Sequence, residues 1–352
     1  MCPGKLHAHP RTGTSSIPSP RILLSITSAI QALTETLFSL VKPRCASVVQ
    51  CSQMQEKFLL SALAVFSLAL AQNPEQGVPE NSVTQVSEHV YAIVGWPNVG
   101  IVVGNRATLV IDTGMGARNG AIVAREAEKL AKAPNLYLTT THFHPEHAMG
   151  VQSFPARTIL IRPSVQQEEM EKRGSEFIEL FRNRSPQFKE LLQDVKLRPP
   201  DILFDHELKL DLGGVTARLM WFGPGHTKGD ELIFVEPDSV LLPGDIVENK
   251  LVPTMPNADA SPKGWLATLD KIEPLKPRFI VPDHGGLGDG SLIAKERAFI
   301  IELQNRALEL KRQGVSVEDA GKQMITEFKA KYPDWEATNA IPNAVRRIYA
   351  EN

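Results

Sequence analysis

The sequence predicts an α+β protein of stacked sheets with helices on the outside. Three observations carry this. Short β-branched runs gather in two groups, at 83–113 and 202–243, with glycine and proline-aspartate turns between them. Helix-prone stretches separate and follow these groups, at 118–132, 164–197 and 291–350. The resulting order is strands, helix, strand, helices, strands, helix, strand, helices. It never becomes the regular strand–helix alternation of a doubly wound parallel sheet.

In chain order, 89–94, 100–103 and 107–111 read as a meander turning at Gly104-Asn105 and ending at Asp112-Thr113-Gly114. In 118–132, Ile122, Ala127, Leu130 and Ala131 fall on one side of a helix. The run 136–141 is a strand delivering the chain into His142, and 157–162 is another. Residues 164–197 are charged and helical, broken near Ser185-Pro186. Strands follow at 202–210, 215–222, 231–236 and 239–243, turning at Gly213-Gly214 and Pro237-Asp238. Then come a short helix at 262–273, a strand at 279–281, a long amphipathic helix at 291–312, and two more at 316–331 and 342–350. No long repeat and no glycine-rich phosphate loop is present.

The 352 residues are 42% hydrophobic and 22% charged, with a formal net charge of -2. That is enough apolar material for a large core, and it gives no electrostatic reason to expect nucleic acid as a partner. The cysteines are Cys2, Cys45 and Cys51, so a disulfide framework, a thiol nucleophile and a cysteine metal site are excluded from the main body. Residues 1–53 are Ser-, Thr- and Pro-rich with no sustained period and read as a leader outside the fold. Met54 opens a basic-then-apolar stretch ending in Ala69-Leu70-Ala71, so 54–71 reads as a signal peptide and Gln72 as the first mature residue. The expectation is an exported protein, periplasmic or secreted, with no stable membrane association after cleavage. A transit peptide over 1–53 is the competing reading.

The chemistry concentrates in Thr141-His142-Phe143-His144-Pro145-Glu146-His147. Three imidazoles and a carboxylate at the end of an apolar strand suit metal ligation. In a strand-to-loop setting His142 and His144 project to one side, because side chains alternate. Three more donors sit where strands emerge into loops: His226 in Gly223-Pro224-Gly225-His226-Thr227, Asp245 in Pro243-Gly244-Asp245, and His284 in Pro282-Asp283-His284-Gly285. All can converge on one sheet edge. His89 and His206 lie outside these motifs and read as packing or surface residues. Phe181, Met255 and Trp265 are candidates for the mouth of the site, though each residue type is more often core.

These motifs, with the Asp112-Thr113-Gly114 turn, resemble the metallo-β-lactamase superfamily over roughly 83–312. The resemblance implies a four-layer αββα sandwich over 72–315, with 316–352 a helical extension packed on it. It implies a metal centre at one sheet edge, with zinc, two ions per chain, and iron or manganese as alternatives. His142, His144 and His226 would hold the first ion; Glu146, His147 and His284 the second; Asp245 would bridge. Asp112 would orient a loop or a ligand histidine, and Glu146 or Asp245 would accept the proton of the attacking water. Glu146 stands where the family motif has aspartate. The implied activity is hydrolysis of an ester, lactone, thioester, β-lactam or related bond in a small molecule by metal-activated water. A sulfur-dioxygenase-like oxidoreductase and a non-catalytic metal-binding relic are the alternatives. No oligomeric state is implied.

Overall fold

The computed structural model describes residues 77–351. The segments read as leader (1–53) and signal peptide (54–71), and the expected mature start at Gln72, lie outside the described residues. Seven strands form the first sheet in chain order: β1 (Val83–Gln85), β2 (Val90–Ile93), β3 (Val99–Val103), β4 (Ala107–Ile111), β5 (Asn135–Thr139), β6 (Ile159–Pro163) and β7 (Ile202–Phe204). The first four pair antiparallel through short turns. Helix α1 (Gly116–Leu130) then crosses over, so β4 and β5 are parallel, as are the pairs that follow.

The second sheet has the order β12-β11-β10-β9-β8. Its strands are β8 (Glu207–Asp211), β9 (Thr216–Trp221), β10 (Glu231–Glu236), β11 (Val240–Leu242) and β12 (Phe279–Ile280). β8 to β11 are antiparallel, and β12 joins β11 in parallel after the crossover helix α5 (Pro262–Ile272).

Strand alternation creates the layers. Leu109, Ile111 and Val102 face Leu219, Ile233 and Leu242 between the sheets. Val110, Ile101 and Leu138 face the other way and pack on Ile122, Val123 and Ala127 of α1. Met220, Leu232 and Leu241 pack on α5, α6 (Ser291–Arg312), α7 (Val317–Lys331) and α8 (Ile341–Glu351) through Trp265, Phe299, Met324 and Ile348. The fold is therefore the four-layer αββα sandwich of the α+β class. Helices α3 (Ser164–Arg182) and α4 (Pro186–Leu191) cover one end of it through Phe143, Phe177, Phe181 and Phe188.

The run 202–210, one strand by its pattern, is two. It breaks at the exposed Asp205-His206, with β7 in the first sheet and β8 in the second. The strand read to Thr141 ends at Thr139, so His142 and His144 stand in a loop.

Candidate metal centre

Loops from both sheets meet at one edge, and each is pinned by its own polar contacts. After β4, Asp112 adopts φ 68, a left-handed conformation that aspartate tolerates better than most residues. Its carboxylate accepts from Thr141 N at 2.7 Å and lies 2.9 Å from Thr141 Oγ1 and from His147 Nδ1. Gln166 of α3 holds the same loop, donating to Thr140 O at 2.7 Å. Pro145 opens the short helix α2 (Pro145–Ala148), which carries Glu146 and His147. The His226 loop closes on Asp230, which accepts from Gly225 N and Thr227 N, while Glu169 of α3 accepts from Lys228 N and Gly229 N. The His284 loop is held from the first sheet, where Asn98 donates to Pro282 O and Gly285 O. Gly285, at φ +88, leaves no room for a side chain: a Cβ would meet Asn249 O at 2.3 Å.

These loops bring together every residue of the ligand set. His142 Nε2 lies 3.0 Å from His144 Nδ1, which lies 3.1 Å from His226 Nε2. Asp245 Oδ2 is 3.3 Å from His226 Nε2. Its Oδ1 faces the other way, 3.5 Å from His284 Nε2 and 3.7 Å from His147 Nε2. Ligand atoms of Glu146, His147 and His284 lie within 4.8 Å of one another. Glu146 thus reaches the centre despite its extra methylene.

The histidines of the first group, and His147, are oriented from behind. His226 Nδ1 lies 2.8 Å from Thr254 O, His144 Nε2 3.3 Å from Asn257 Oδ1, His142 Nδ1 3.3 Å from Thr141 Oγ1, and His147 Nδ1 against Asp112 and Asp283. Such contacts fix ring orientation and leave the other nitrogen for a ligand. Asp283, Asn257, Thr254 and Glu248 carry no spacing signal in the sequence. Only Asp283, inside the Pro-Asp-His-Gly motif, was within reach of a sequence reading.

Burial holds His142 and His144 well below the ordinary histidine range, with neighbouring histidines adding to it. Burial pushes His226 down to about 4 and His284 to about 3. Neutral imidazoles keep their lone pairs for a cation. His147 moves oppositely: burial disfavours its charge, but Asp112, Asp283 and Asp245 outweigh it and raise it well above the usual value. Burial raises Glu146 and Asp245, and pushes Asp112 up to about 7.

The donor set fits a cation. Asp112, Glu146, Asp245, Glu248, Asp283 and Glu296 are all buried, and among the described residues none forms an ion pair with lysine or arginine. Glu146 Oε2, His147 Nε2 and Asp245 Oδ1 have no hydrogen-bond partner. Buried donors and acceptors without partners are costly, by about 1–3 kcal/mol each, and a bound metal satisfies them. His89 and His206 lie apart. His89 pairs with Asp238 at 2.8 Å and His206 stacks on Trp221. Phe181, Met255 and Trp265 are core residues.

Several known proteins are similar to this chain. Human acyl-coenzyme A thioesterase MBLAC2 is 26% identical over 215 residues, covering 56% of this chain and 74% of that protein. A linear primary-alkylsulfatase from Pseudomonas sp. is 21% identical over 282 residues, covering 68% of this chain and 53% of the sulfatase, so the chain spans about half of that relative. The solved structure of a metallo-beta-lactamase from Pontibacter korlensis matches with a TM-score of 0.52 at 19% identity, over 62% of this chain and 97% of that one, a likeness of fold. The metallo-beta-lactamase superfamily profile matches residues 94–284, a span that holds Asp112 and all seven donors. The chain belongs to the metallo-beta-lactamase superfamily.

Proposed function

We propose that this protein is a metal-dependent hydrolase that cleaves an ester or thioester bond in a small molecule carrying an apolar chain. The observation that carries the reading is Asp245. One of its oxygens faces the His142–His144–His226 group and the other faces His147 and His284. A carboxylate presented to two sets of donors suits two cations that share it.

Divalent ions held there would supply Lewis acidity, lowering the pKa of water towards 7 and polarising the bond under attack. The protein's own residues do the rest. Asp112 and Asp283 hold His147, and Asn257 and the Thr254 carbonyl hold His144 and His226, so the donors are placed before substrate arrives. Glu146, with its free Oε2, and Asp245 are the carboxylates available to take the proton that water loses.

Aromatic rings support the apolar chain. Trp96, which is only half-buried, lies 5.3 Å from His284 and offers apolar surface beside the donors, backed by the buried Phe188 stacked on it. The thioesterase relative is named for an acyl thioester and the sulfatase relative for linear alkyl sulfates, both aliphatic chains on a hydrolysable linkage.

The test is a panel of chromogenic esters, acyl thioesters, lactones, alkyl sulfates, phosphodiesters and nitrocefin, with metal content measured on the same samples. Turnover of esters or thioesters, lost on chelation and preferring longer acyl chains, is expected. Metal-loaded protein that turns over only nitrocefin or phosphodiesters would sink the assignment.

A further inference from the structure

Beside Asp245 and His284 the structure holds a carboxylate outside the family's ligand set. Glu248 lies three residues beyond Asp245, after the single turn 244–246, and is 5% exposed. Its Oε2 accepts from His284 N at 3.0 Å, which fixes the side chain. Its Oε1 receives no hydrogen bond from a protein N–H or O–H, and its carboxyl lies within hydrogen-bonding reach of the Asp245 carboxylate. One ligand atom each from Asp245, Glu248 and His284 lie within 4.8 Å of one another. The Glu146–His147–His284 group meets the same limit and shares His284. The donor field on this side of the centre therefore extends from Glu146, through His284, to Glu248.

We propose that Glu248 is a metal ligand, holding the ion on the His284 side together with Asp245 and His284. The inference rests on the metal-centre reading above and adds a donor to it. Charge supports it. No lysine or arginine among the described residues pairs with Glu248, and its closest charged company is acidic. Glu296 of α6 comes within 3.4 Å of Glu248 N, and its own Oε1 is without a partner. A buried carboxylate needs a counter-charge or a proton, and a divalent ion shared with Asp245 provides the first.

The competing role for Glu248 is purely positional: it would anchor the His284 loop and hydrogen-bond to Asp245. Glutamine performs both tasks, since its carbonyl accepts from His284 N and its amide donates to Asp245. Glu248→Gln therefore removes only the charged ligand.

The experiment strips the purified protein with a chelator and titrates it with Co(II) against a chromophoric competitor. Wild type, Glu248→Gln and His226→Ala are compared, with thermal melting to show that each is folded. Two equivalents are expected for wild type. In Glu248→Gln one equivalent should be retained and the other weakened by about 100-fold or more, since even an outer partner of a ligand is typically worth about 10–100-fold. The cobalt absorption of the weakened ion should change as well. Unchanged affinities and an unchanged spectrum overturn the proposal, while a wild type that binds no metal removes the reading beneath it. If the variant does not fold, the metal-loaded wild-type crystal structure decides. A Glu248 oxygen at roughly 2.0–2.2 Å from the ion supports ligation, and one beyond about 3 Å overturns it.

Discussion

Glu146 stands where the family motif has aspartate, yet it lies with His147 and His284 and keeps a free Oε2. Glu146→Gln keeps its shape and removes its charge, so it should weaken one metal and slow turnover by about 10²–10⁴-fold. Glu146→Asp should keep both metals. Equal metal content and equal rates in wild type and the Gln variant would make Glu146 a bystander. His226→Ala removes one corner of the three-imidazole group and its hydrogen bond to Thr254 O. It should lose most of one metal equivalent and essentially all hydrolysis, as read by elemental analysis and steady-state rates. The six histidine and aspartate donors were legible in the sequence because each sits in a short motif at the end of a strand. Glu248 and Asn257 were not, since a lone carboxylate or amide in a loop has no spacing to mark it. Only the fold brings them to the centre.

At the scale of elements, the sequence pattern located the strands and helices but not the places where the chain leaves a sheet. The break between β7 and β8 falls at the polar run Asp205-His206-Glu207, which a reading of 202–210 as one β-branched and apolar strand passes over. His142 and His144 converge through a pinned loop rather than through strand alternation, and the pins are Asp112, Gln166 and Asn257. The β10–β11 turn has a comparable device. Asp238 is buried there and accepts hydrogen bonds from Ser87 Oγ and His89 N, with His89 Nδ1 at 2.8 Å. Burial pushes its carboxyl up, but these hydrogen bonds outweigh burial and hold it below the usual aspartate range. A depressed folded-state pKa means that the native protein binds fewer protons than the unfolded chain near that pH. The stabilisation is complete above the unfolded value of about 3.9 and declines as pH falls through the folded one. Asp238→Asn should therefore cost about 1–3 kcal/mol near pH 6. The gap to wild type in urea unfolding should narrow below about pH 4. A gap that is constant with pH would show that the charge of Asp238 contributes nothing.

At the scale of the whole molecule, the last two helices complete the outer layer of the second sheet. Met324, Phe328, Ile341, Val345 and Ile348 are buried in one cluster with Trp265, Phe299 and Leu303. On sequence, 316–352 stands apart as an extension because the family resemblance stops near residue 312, and the periodicity of one helix cannot say whose core it completes. Removing 316–352 should expose this apolar face and give insoluble protein or loss of the cooperative melt; a soluble truncation with unchanged Tm would contradict that. The same sandwich brings loops from both sheets to one edge, where the other six donors meet around Asp245. The most direct test of that centre is elemental analysis of the protein purified without chelator, run beside hydrolysis of a chromogenic ester or thioester. Two metal equivalents per chain are expected, with hydrolysis lost on stripping and regained when metal is returned. A stripped protein that keeps its full rate would contradict the metal-dependent hydrolase.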